Sequence, residues 1–158
     1  MRAAVATSLY DWLMFLHILA GMVWLGGLAT LVAFVSLVLR HDDPNELRRF
    51  TASLGVIGPA VLGPATIAVV GLGVWLVLDS DVWGFGQTWI IVALALFAVA
   101  FLVGAVFQSR SAIAAQRAAE AGDHLMATRE LRRWAWGMRL ILVLVVAVTW
   151  DMVFKPGL

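Results

Sequence analysis

Four stretches of this chain carry almost no charge over lengths that match a lipid bilayer, at residues 9–39, 54–78, 89–108 and 134–154. A helix needs about 20 residues, at ~1.5 Å of rise each, to cross a hydrocarbon core. The first stretch is marked only by Asp11, His17, Thr30 and Ser36, and the second has no charge at all. The third is interrupted by glycine and ends on Gln108; the fourth holds Arg139 near one end and Asp151 near the other. The runs are continuous rather than alternating, which excludes a membrane β-barrel. Composition agrees, with 63% hydrophobic and 13% charged residues against roughly 45–50% and 25% in soluble domains. A formal charge of +1 excludes a nucleic-acid binder that works by bulk charge. The absence of cysteine excludes disulfides, thiolate metal sites, iron–sulfur clusters and c-type haem attachment.

These runs predict an all-α membrane protein, an antiparallel four-helix transmembrane bundle forming a single unit over 1–158. Basic residues set its expected orientation. Arg40, Arg48 and Arg49 follow the first span, and Arg110, Arg117, Arg129, Arg132 and Arg133 lie between the third and fourth. The opposite side has only Arg2 and Lys155, and its loop, 79–88, is acidic. Positive charge stays cytoplasmic, so both termini are expected outside. Tyr10, Trp12, Trp75, Trp83, Trp89 and Trp150 then gather at the outer interface and Trp134 and Trp136 at the inner one, as an aromatic belt. Arg2 is too thin a basic start, and the first span too long, for a cleaved signal peptide.

The helices should run on into the cytoplasm. Asp43-Pro44-Asn45-Glu46 combines an N-cap acid, proline at the first helical position and glutamate in the first turn. The third helix should continue to Gly122, turn tightly, and restart with Asp123 as the cap of the fourth.

Ionisable residues within a membrane are costly and point to function by default. His17 is the single histidine inside a span, with Gly21 and Trp24 on the same helical face. Glycine one turn from an imidazole leaves room for a flat ligand, or for a neighbouring helix. Asp151 and Lys155 are spaced i, i+4 in the favourable order, either as an interfacial ion pair or as an acid and a base facing a ligand. Both belong to the outer half with His17 and Asp11. Met22 and Met152 are candidate second ligands for a metal, although methionine usually packs. Gly58-Pro59 and Gly63-Pro64 should bend the second helix. Arg139 is expected to reach toward the inner surface, and Gln108 to be a solvated helix end. There is no Gly-rich phosphate loop, HExxH or Ser-His-Asp arrangement.

Leu16-His-Ile-Leu-Ala-Gly-Met-Val-Trp-Leu-Gly-Gly27 resembles the first-helix signature, LH followed by W-x-G-G, of several small membrane families. These are the CopD-type copper-resistance domain, HemJ-type protoporphyrinogen oxidase and the membrane domain of a bacterial urate oxidase. The histidine helix, the Gly-Pro…Gly-Pro helix and the ending Asp151-Met-Val-Phe-Lys-Pro-Gly157 are together similar to a family of four-helix integral membrane proteins of unknown function. The HemJ-type resemblance implies b-type haem, carried here by His17 alone. No second histidine occupies a span, so the other axial position would fall to methionine, an external ligand or a second protomer.

Three functions follow as expectations: a haem b redox protein, enzyme or electron carrier, with His17 axial and Gly21, Trp24, Asp151 and Lys155 around the site; a cofactor-free structural or interaction protein; and a CopD-like copper or small-solute transport accessory. The partners expected are the lipid bilayer and either further copies of the chain or a membrane redox partner. The Ala-, Arg-, Gly- and Val-rich composition suggests a GC-rich bacterial genome and hence a bacterial inner membrane. A reporter fused to the C-terminus should be detected on the outer side of the membrane; cytoplasmic detection would overturn the orientation.

Overall fold

The computed structural model describes residues 8–157, and throughout them the secondary structure is helical, with no strand. Six α-helices follow in order: α1 Leu9–His41, α2 Pro44–Ile57, α3 Gly63–Leu78, α4 Thr88–Leu102, α5 Ser109–Glu120 and α6 His124–Phe154. A π-helical turn, Gly58–Leu62, joins α2 to α3 without a break, and a second, Val103–Gln108, joins α4 to α5. Four continuous helical rods result, each long and apolar enough to cross a membrane.

Local chemistry sets the ends. Ser8 and Asp11 close a reciprocal capping box at the start of α1, so the marginal Asp11 is an exposed cap. Asp43 caps α2 through the Asn45 N–H with Pro44 at the first helical position, as the sequence predicts. Asp123 caps α6 through the Met126 N–H. Gly122, at φ 78°, makes the turn before it, a conformation glycine adopts without cost.

The core follows a stripe hidden in the sequence. Trp24, Leu28, Leu31 and Val35 are buried along α1, and Ala127, Leu131, Trp134, Met138, Ile141 and Val145 along α6. Both sets repeat at three- and four-residue intervals, the spacing of a helix–helix seam. α3 packs on α1, while α4 and α5 pack on α6. Along α4 and its π turn, chain numbers fall as those of α6 rise: Gly157 lies against Thr88, Ile141 against Gly104, and Gly137 against Gln108. The same holds for α1 and the rod carrying α3, where Gly73 lies against His17 and Gly27 against Leu62.

The two halves of the molecule pack differently. At one end α2 meets α5, and α1, α2, α5 and α6 enclose a core. At the other end α3 and α4 make no close backbone approach, and among the described residues α3 is held by α1 alone apart from its own rod. The order there is α3–α1–α6–α4, curled enough for Trp24 to reach Phe97 of α4, with ring centroids 5.7 Å apart. The π turns stand where the rods part. Gly58-Pro59 opens the first and Gly63-Pro64 follows it, and proline cannot donate the backbone bonds that keep an α-helix regular. At the prolines from which the sequence predicts a bend, the helix takes up that π turn.

Gln108 departs from expectation. It is buried, not solvated, and neither amide atom has a hydrogen-bond partner among the described residues. The π turn carries it toward α6, where Gly137 leaves the space: a Cβ there would lie 2.5 Å from Gln108 Oε1 and 3.0 Å from Phe107 Cδ1. Gly137→Val should therefore destabilise the protein by about 1–3 kcal/mol, seen as a lower thermal unfolding midpoint in detergent. Gly21→Ala, with nothing within 4 Å of its added carbon, should leave that midpoint unchanged.

Candidate functional site

The half in which α3 and α4 separate contains His17, Asp151 and Lys155. His17 sits in the third turn of α1 and is half-buried. Its Cε1 lies 3.0 Å, and its Nδ1 3.4 Å, from where a Cβ on Gly73 would be. Gly73 thus admits the imidazole edge into α3 as a small residue admits a neighbouring helix in lipid. Nδ1 is fully covered and has no hydrogen-bond partner among the described residues. The Val69 carbonyl, one turn along α3, stands beside the ring as the available acceptor. Gly73 was missed in the sequence, where the Gly71-Leu-Gly73 pair was its sole signal.

Asp151 lies on α6, only 2% exposed, and neither carboxylate oxygen has a partner among the described residues. Its height follows from helical rise. Counting from Asp42 beside His124, and from Ser36 beside Arg139, places it level with α1 somewhere between Phe15 and Trp24. No hydrogen bond or ion pair among the described residues links Asp151 to His17.

Lys155 is turned elsewhere. α6 ends at Phe154 and Lys155 adopts a left-handed cap, φ 45°, its N–H donating to the Asp151 carbonyl at 2.8 Å. That rotation takes the side chain off the helical spacing on which an i, i+4 pair depends. Its ammonium instead lies 4.0 Å from the Trp83 ring centroid and 5.5 Å from that of Trp89, and the two rings are edge-to-face at 5.4 Å. This is a cation–π box at the mouth of the α3–α4 loop. No ion pair joins Asp151 to Lys155 among the described residues, although the sequence spacing invites one.

The remaining candidates also disperse. Trp24 is buried against Phe97, while Gly21 has nothing within 4 Å of its Cβ direction. Met22 is 67% exposed and Met152 is half-buried, and among the described residues no three His, Asp or Glu side chains gather as a metal would need. A haem would have only the Nε2 of His17 to bind, since Nδ1 is covered. Nδ1 is closed off by α3, Nε2 retains some access beside the open flank of Gly21, and no second protein ligand stands opposite.

A chain of four long apolar rods with ionisable groups buried between them is a multi-pass integral membrane protein. It belongs to the predicted integral membrane protein family DUF2269, whose model matches residues 11–156. The match shows no relationship to CopD-type or HemJ-type proteins. No curated protein and no solved structure matches the chain.

If the His17–Gly73 contact is a packing contact, the two positions are coupled. Gly73→Val in the wild-type background should lower the thermal midpoint, and should be tolerated once His17 is alanine. Additive effects of the two changes, measured as a double-mutant cycle, would show that they do not share a contact.

Proposed function

We propose that this DUF2269 protein is a membrane-embedded structural or interaction protein that works without a cofactor. The observation that carries this reading is the seating of His17: its imidazole edge is used to join α1 to α3 at Gly73. Trp24, Asp151 and Lys155, which a haem site would need around it, are each engaged or enclosed elsewhere. The unclosed outer half, with α3 held by one neighbour, leaves a face on which a membrane partner or a second copy of the chain can complete the packing. The rods form an antiparallel bundle, supported by the opposed residue order of their contacts. Both termini lie on the outer side of a bacterial inner membrane, supported by the arginines gathered at the α2–α5 end.

A second reading, a haem b redox protein or enzyme with His17 as ligand, is favoured by one feature: Nε2 is not enclosed, and Gly21 beside it has open space. Haem would supply one-electron chemistry, and this chain would contribute the imidazole and an apolar wall. A copper or solute-transport role draws on no feature beyond His17 and scattered methionines.

An ultraviolet–visible spectrum of the protein purified in mild detergent, as isolated and with dithionite, separates the two. The expected result is a spectrum without a Soret band even after expression with haem precursor. A stoichiometric Soret band that disappears in His17→Ala, while the variant still inserts, would overturn the cofactor-free reading.

A further inference from the structure

At the arginine-rich end, a recess of about 320 Å³ opens between α1 and α6. Its rim carries Arg40, Arg132 and Arg139, and its floor is made by Leu39 and Ala135. Arg139 is positioned from two sides: Nη2 donates to Ser36 Oγ at 3.2 Å, and the guanidinium lies 5.2 Å from the Trp136 ring centroid. That leaves most of its five N–H donors unused. Arg40 and Arg132 make no ion pair or side-chain hydrogen bond among the described residues. The acids nearby are committed, Glu130 to Arg133 and Asp42 to His124. Three arginine side chains thus line one small concavity, and none of them is in an ion pair among the described residues.

The surface beyond the recess changes character along the helices. Ala29 and Ala33 precede Ser36 and Arg40 on one exposed face of α1. Leu140 and Val143 continue outward from Trp136 and Arg139 on α6, both exposed. The cationic recess is therefore continuous with an exposed apolar strip that leads toward the middle of the span. Trp136, 68% exposed, marks the interfacial height where indole rings settle.

We infer that this groove binds an anionic phospholipid, its phosphate held by Arg40, Arg132 and Arg139 and an acyl chain lying along Ala33, Leu140 and Val143. Guanidinium groups match phosphate oxygens in geometry and charge, and basic pockets between transmembrane helices are sites for such headgroups. A soluble phosphate would satisfy the arginines and leave the adjoining apolar strip uncovered. The inference is independent of the cofactor-free reading, since it concerns the other end of the molecule.

The full-length protein in detergent should gain thermal stability from phosphatidylglycerol or cardiolipin, and keep bound anionic lipid in native mass spectrometry. Phosphatidylcholine and inorganic phosphate should do neither. Arg40→Gln/Arg132→Gln/Arg139→Gln should weaken anionic lipid binding on the order of 100-fold, while Arg110→Gln/Arg117→Gln, on α5 outside the groove, should retain it. If the triple variant does not fold, Arg132→Gln alone, which breaks no bond in the structure, should still weaken binding several-fold. Equal binding of phosphatidylcholine, an equal effect of inorganic phosphate, or an equal loss in the α5 control would each overturn the site.

Discussion

Inside a bilayer, two helices gain nothing by hiding leucine from lipid, because lipid is as apolar as leucine. The α1–α6 seam on which this protein is built must therefore rest on close fit. Its buried residues, from Trp24 to Val35 and from Ala127 to Val145, mesh at three- and four-residue intervals. α6 also carries α4 and α5, and α1 carries α3. Where a flanking rod docks, glycine admits a specific side chain: Gly137 takes Gln108, Gly73 takes His17, and Gly27 takes Leu62.

The two π turns divide the molecule into regions with different freedom. On one side α2 and α5 close a core of ordinary kind, with Thr51 bonded to the Leu47 carbonyl and Phe50 edge-on to Trp134. On the other, α3 and α4 stand apart and the polar groups between the rods are incompletely satisfied, as at Asp151 and His17 Nδ1. Unsatisfied buried polar groups cost stability in proportion to how dry their surroundings are. Such groups are not confined to the open half, since Gln108, His124 Nδ1 and Thr128 Oγ1 toward the other end also lack partners among the described residues.

The opposite end is built to a different chemistry. Its arginines outnumber the acids within reach, and stacking on Trp136 and bonding to Ser36 hold Arg139 at the boundary of the apolar span. One chain thus has a half in which two rods stand apart at one end and a cationic recess at the other. Helices of 31 to 35 residues are long enough for both to belong to the same rods.

Much of the architecture could be read directly from the residues. Apolar runs of bilayer length with few charges marked out the four rods, because a backbone in lipid must satisfy its hydrogen bonds within the helix. Asp43-Pro44 and Gly122-Asp123 fixed where rods begin and turn, because caps act over three or four residues. Which face of each rod is buried was not legible. Lipid-facing Met22 and Val23 are as apolar as core-facing Trp24 and Leu28, so periodicity carries no signal. Nor could spacing show that Lys155 leaves Asp151 for Trp83, since one left-handed residue at the helix end changes the direction of the side chain. The sequence determined what crosses the membrane and where it stops, because those are local matters of length, charge and capping. Tertiary structure alone decided that His17 meets Gly73, that Gln108 is buried and that three arginines share one recess, because helix rotation and register are set by packing between distant segments.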